Sequence, residues 1–146
     1  PPDRARVPET GAVPPPSPRL DPRHLPDEAV TFLTERHLAT MTTLRPDGSP
    51  HVVAIAFTYD PETATARVIT NGTSRKVRNL LSGGPVVLCQ VEGRQWLSLE
   101  GRAVVDRDPA AVADAVARYA VRYRHPGGNP ERVVAVIDVT RTMGPP

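Results

Sequence analysis

Apolar positions recur on two different periods along this chain, and the switches between them mark out its elements. A helical pattern starts at Pro26: proline suits the first helical position, and Asp27 and Glu28 stand where the helix dipole favours acids. Val30, Phe32 and Leu33 then face a core. Residues 38–45 read as a strand and Pro46-Asp47-Gly48 as a hairpin turn. Residues 51–57 are almost continuously apolar, the pattern of a strand covered on both faces. One cover is the domain interior; in a chain this small, the natural second cover is a partner subunit. Tyr59-Asp60-Pro61-Glu62 turns the chain into a strand over 66–70. A short helix over 74–81 follows, stopped by Gly83-Gly84.

Strands over 85–91 and 95–105 flank the turn Glu92-Gly93. In the longer one, Leu97, Leu99, Gly101, Ala103 and Val105 share a face expected in the core. Trp96, Ser98, Glu100, Arg102 and Val104 share the other, a mixture that suits a ligand wall or a subunit interface. Asp108-Pro109 caps and opens a helix to about residue 124, with Val112, Val116, Tyr119 and Tyr123 on one stripe. Its arginines Arg118, Arg122 and Arg124 read as helix-end charges. After a loop over 125–130, residues 132–140 form a last strand. Six strands with Gly/Pro turns and three short helices predict a mainly β domain of the α+β class, a small barrel decorated by helices.

Composition narrows this picture. At 146 residues the chain is one domain with room for a core. Residues 1–25 hold eight of its 18 prolines and little apolar bulk, so they are expected to be a disordered tail, with the domain running over 26–146. The net charge of +2 suits small anionic ligands and is too weak to imply nucleic acid. The single Cys89 lies in an apolar run and forms no intramolecular disulfide; with no signal peptide and no membrane-length apolar stretch, the cytoplasm is the expected location. The four histidines are scattered and no paired cysteines occur, so no metal site is expected. No GxxxxGK[ST], GxGxxG or GxSxG is present.

What remains is one cationic stretch, Thr70-Asn71-Gly72-Thr73-Ser74-Arg75-Lys76, where a strand turns through Asn-Gly into a helix. Such a turn is expected to leave backbone N–H groups pointing outward toward an anion, with hydroxyls and two cations beside them. Lys76 is the only lysine among 18 basic residues. An anion corner, an apolar strand and a tryptophan, with no recognisable catalytic residue, suit a cofactor that brings its own reactivity.

These segments, in this order, resemble the flavin- and deazaflavin-binding split β-barrel family that includes pyridoxamine 5′-phosphate oxidase. The likeness is carried by FLTERHLATMTTLRPDGSPHVVAIAFTYDP, TN followed two residues on by SRK, WLSLEGRA and RYAVRYR, across residues 25–143. It is nearest to an actinobacterial branch that uses the deazaflavin coenzyme F-420, and within it to biliverdin reductases. The second strand, Val52-Val53-Ala54-Ile55-Ala56-Phe57, lacks the Arg and Lys with which flavin mononucleotide oxidases of the family grip their flavin. The resemblance implies a homodimeric six-stranded split barrel that transfers a hydride from F-420 to a conjugated substrate such as biliverdin. It places the phosphate end of the coenzyme on Ser74, Arg75 and Lys76, with Asn71 among the cofactor-binding residues. His51, Val52, Val53 and Thr70 then line the ring site, with Trp96 packing near the ring. The alternatives are an FMN-dependent enzyme of the same fold and a non-catalytic carrier of coenzyme or tetrapyrrole.

Overall fold

The computed structural model describes residue 11 and residues 18–145. Among these residues three helices are found, α1 (Asp27–Thr34), α2 (Arg75–Asn79) and α3 (Pro109–Arg122). Eight strands of the described residues, rather than six, form one sheet. They are β1 (Arg19–Leu20), β2 (Ala39–Leu44), β3 (Pro50–Ile55), β4 (Thr58–Asp60), β5 (Thr65–Asn71), β6 (Gly84–Glu92), β7 (Gln95–Asp106) and β8 (Arg132–Met143). The two extra strands, β1 and β4, are two and three residues long, too short to carry a period.

β1 lies inside the stretch expected to be a tail. Arg19 and Leu20 pair with Met143 and Thr142 of β8, and the Thr142 hydroxyl donates to the Leu20 carbonyl at 2.5 Å. The Tyr59 hydroxyl donates to the Pro22 carbonyl. Folded structure therefore begins before Pro26, because the end of β8 that β5 leaves unpaired is completed by β1. The rest of the expected tail, residues 1–10 and 12–17, lies outside the described residues.

The sheet runs β3-β2-β6-β7-β8-β5-β4, all antiparallel. Its two edge strands, β3 and β4, are consecutive in the chain, with only Ala56 and Phe57 between them. A chain advances at most about 3.6 Å per residue. The two edges of the sheet must therefore curl to within a few residues' reach of each other without pairing, which makes a barrel with an open seam. Inside lie Met41, Phe57, Val68, Leu88, Leu99 and Ile137, all nearly inaccessible.

β7 keeps the expected alternation in part: Leu97, Leu99 and Ala103 are buried and Val104 is exposed, but Ser98 of the outer face is buried as well. A bulge falls between Glu100 and Gly101. A Cβ on Gly101 would lie 2.0 Å from the Asp138 carbonyl oxygen, so only glycine fits. Within one chain β3 is covered on one face only, which leaves the other for the second cover expected from the sequence: Ile55 is buried, whereas Val52 is 56% exposed. As the sheet's edge strand it has one neighbour, β2, and its outer side chains point away from the core.

Candidate functional site: a cationic corner beside the barrel seam

The seam breaks the sheet's ladder, so the backbone groups of Phe57 need other partners. They come from the end of α3. Phe57 N–H donates to the Tyr123 hydroxyl at 3.3 Å, and that hydroxyl donates to the His37 carbonyl at 2.6 Å. Arg122 donates to the Phe57 carbonyl at 2.6 Å, to the Glu35 carbonyl at 2.9 Å and to Gln90 Oε1 at 2.6 Å. Gln90 in turn donates to the Phe32 carbonyl at 2.8 Å. The guanidinium also stacks 4.7 Å from the Phe57 ring centroid. Arg122 is only 9% exposed, so it is a buried clamp across α1, the seam and β6, not the helix-end charge its position suggests. Burial holds its pKa below the usual arginine value.

Beside the seam opens a cavity of about 310 Å³. Ala54, Ile55 and Ala56 of the β3 end form one wall, and Ile69, Thr70 and Asn71 of β5 the other. Lys76, Tyr119, Asn129 and Arg132 close the remaining sides. Thr70, Asn71 and Lys76, expected at a binding site from the sequence, line this cavity. Tyr119, Asn129 and Arg132 were not expected, because they come from α3, the loop after it and the first residue of β8, which only the fold brings here.

The turn into α2 meets expectation in part. The amides of the turn itself are used internally: Gly72 N–H donates to the Glu131 carbonyl at 2.8 Å, Thr73 N–H to Asn71 Oδ1 at 2.9 Å and Ser74 N–H to the Asn71 carbonyl at 3.1 Å. Among the described residues, the N–H groups of Arg75, Lys76 and Val77, in the first turn of α2, have no partner. α2 has only five residues, so its dipole is small. The attraction for an anion therefore rests on side chains and these first-turn amides. Lys76 is half-buried and burial lowers its pKa. Arg75 is exposed one residue before it. Ser74 Oγ lies 3.5 Å from Thr70 Oγ1.

His51 belongs to the same corner. Its Nδ1 is buried without a hydrogen-bond partner. Burial first, and then the charges of Arg45, Lys76 and Arg75, hold its ring below the ordinary value of 6.5. Among the described residues, no carboxylate lies within 4.0 Å of Arg45, Arg75, Lys76 or Arg132. A concentration of uncompensated positive charge beside an orphaned buried nitrogen fits a phosphate-bearing ligand.

The other expected residues separate. Val53 packs against the core. Val52 points outward and does not face the cavity. Trp96 is not brought to the cavity within one chain; it lines a different groove, with Leu20, Pro26 and Phe32. Its place in β7, on the far side of β6 and β2 from β3, explains the separation. Among the described residues there is no metal-binding cluster and no helix long and apolar enough to cross a membrane.

Comparison with known proteins agrees with this architecture. An F420H(2)-dependent biliverdin reductase from Mycobacterium tuberculosis is 58% identical over 120 residues, which cover 82% of this chain and 88% of that one. Among solved structures, a conserved hypothetical protein from M. tuberculosis matches with a TM-score of 0.70 at 22% identity, over 84% of this chain and 85% of its own. A protein described as an F420 reductase matches at 0.66 and 24%, over 81% and 98%. At these identities the two structures speak for the fold alone. The family model described as pyridoxamine 5′-phosphate oxidase matches residues 25–143, and the chain belongs to that family.

Proposed function

We propose that this protein is an F-420-dependent reductase that delivers a hydride to a conjugated substrate, with biliverdin as the substrate reduced to bilirubin. The carrying observation is the seam cavity: a cationic corner at one end, an apolar seam wall at the other, and no carboxylate, thiol or imidazole in its lining. The mycobacterial relative's activity supports the choice of coenzyme and substrate. When bound, the reduced deazaflavin supplies the hydride. The protein's part is to bind, orient and keep the site dry. Lys76, Arg75 and Ser74 hold the phosphate end, with His51 beside them and Asn71 at the turn. Ile55, Ala56 and Ile69 exclude water from the ring. Thr70 and the Tyr119 hydroxyl are within the lining and can hydrogen-bond a polar ring edge.

The test is a titration of the purified protein with F-420 and with FMN, followed by an assay of biliverdin reduction with reduced F-420. Binding of FMN alone favours the flavin alternative. Tight coenzyme or tetrapyrrole binding with no turnover favours a carrier.

We further propose a homodimer. The outer face of β2 and β3 carries Leu44 and Val52, 44% and 56% exposed, and the outer face of β6 carries Val91 at 58%. A second copy of the chain is the natural cover for such an apolar sheet face. Trp96 lies opposite Val91 in register and shares this face. Sedimentation at micromolar concentration should give twice the chain mass; a stable monomer with full coenzyme affinity would contradict the dimer.

A further inference from the structure

A second cavity, of about 340 Å³, adjoins the first. Ala56 and Tyr119 line both. Its floor is apolar and aromatic: Leu38, 64% exposed, and Tyr123, whose ring packs 4.9 Å from that of Tyr119. Arg36, one residue before His37 in the link from α1 to β2, and Arg124, two residues past α3, stand at its rim. Both are exposed, and among the described residues neither has a carboxylate within 4.0 Å. The two nearby acids face His37, which also lines the cavity, and not the arginines: Glu35 and Glu92 lie 3.1 and 3.7 Å from its ring nitrogens.

Two free guanidinium groups over an aromatic floor suit a flat conjugated molecule bearing two carboxylates. Because Ala56 and Tyr119 face both cavities, a ligand in one lies against residues that touch a ligand in the other. That adjacency is what a transfer between two bound rings requires.

We infer that this second cavity is the substrate chamber, in which Arg36 and Arg124 bind the two carboxylates of a conjugated dianionic substrate whose ring meets the coenzyme beside Ala56 and Tyr119. The inference rests on the reductase reading for its substrate, and its test is independent of turnover. Biliverdin binding is followed by absorbance titration in the absence of coenzyme. The wild type is compared with Arg36→Gln, Arg124→Gln and the double variant, and Arg94→Gln, an exposed arginine in the β6–β7 turn, serves as a remote charge control.

Partly solvated charge-assisted hydrogen bonds predict a loss of about 5–10-fold for each single variant and roughly 30–100-fold for the double. F-420 affinity should stay within about twofold of wild type in all of them, and the Arg94 variant should bind biliverdin normally. The dimethyl ester of biliverdin, which lacks both charges, should bind wild type and double variant alike. The inference is overturned if the double variant binds the diacid as tightly as wild type, if ester and diacid lose affinity equally, or if wild type does not bind biliverdin. Wild type that binds biliverdin with this Arg36/Arg124 dependence, yet does not reduce it, upholds the chamber and refutes the reductase.

Discussion

Replacing Arg122 by methionine tests whether the seam is held by α3. Methionine keeps most of the side-chain volume and removes the guanidinium, with its bonds to the Glu35 carbonyl, the Phe57 carbonyl and Gln90 Oε1. The Tyr123 hydroxyl also lies 3.2 Å from the Phe57 carbonyl, but its one proton goes to the His37 carbonyl, so two buried acceptors, the Phe57 carbonyl and Gln90 Oε1, lose their partner outright, while the half-buried Glu35 carbonyl can turn to water. Each buried acceptor left unpaired costs about 1–3 kcal/mol, giving roughly 2–6 kcal/mol. Relief of burying a cation with no carboxylate partner offsets part of this. We therefore expect a net loss of about 2–4 kcal/mol. For a domain of this size that corresponds to a Tm roughly 6–16 °C lower. Arg124→Met, an exposed cation two residues further along, should change stability by less than about 0.5 kcal/mol. Arg122→Lys should fall between them, since an ammonium keeps the charge but cannot span three acceptors on different elements. The assay is urea unfolding by circular dichroism with the m-value monitored, alongside thermal melts. An Arg122→Met protein within 1 kcal/mol of wild type, or no worse than Arg124→Met, would refute the clamp.

Three further outcomes are expected. Lys76→Ala should weaken F-420 binding about 10-fold by loss of a charge-assisted hydrogen bond, with Tm and saturated turnover nearly unchanged; unaltered affinity in fluorescence quenching would remove the phosphate from this corner. His51 has a folded pKa below its ordinary 6.5, so the unfolded chain binds its proton more readily: its contribution to stability is present above about pH 6.5 and is lost as pH falls through that value toward the depressed folded pKa. His51→Gln should flatten stability against pH in that window, and an unchanged profile in pH-dependent urea melts would show that the ring is not perturbed. Removing residues 1–17 should leave Tm unchanged, whereas removing 1–24 should lower it, because the second deletion takes away β1, the Thr142–Leu20 bond and the Tyr59–Pro22 bond. Equal melting temperatures for the two truncations would show that β1 adds nothing.

The sequence by itself determined the features that depend on neighbours along the chain. Period-two alternation placed Leu97, Leu99 and Ala103 inside β7, and Asp108-Pro109 marked the start of α3, because side-chain direction and helix initiation are set within a few residues. The Thr70-to-Lys76 stretch stood out as a cationic turn for the same reason: its cations and hydroxyls are adjacent. The loss of its first amides to internal bonds was not legible, since the acceptor for Gly72 is the Glu131 carbonyl, far along the chain. Only the tertiary structure decided the rest. Arg122 looks like any helix-end cation until the sheet curls and its edges fail to pair, leaving carbonyls that need a buried donor. β1 and β4 are too short to show a period and exist because β8 and β5 offer them open edges. Tyr119 stands on one helical stripe with Val112, Val116 and Tyr123 in the sequence and comes to line two cavities only when α3 lies beside the seam. Trp96 was placed by type and strand face, but which cavity it lines depends on the order of strands in the sheet, and no local pattern encodes that order.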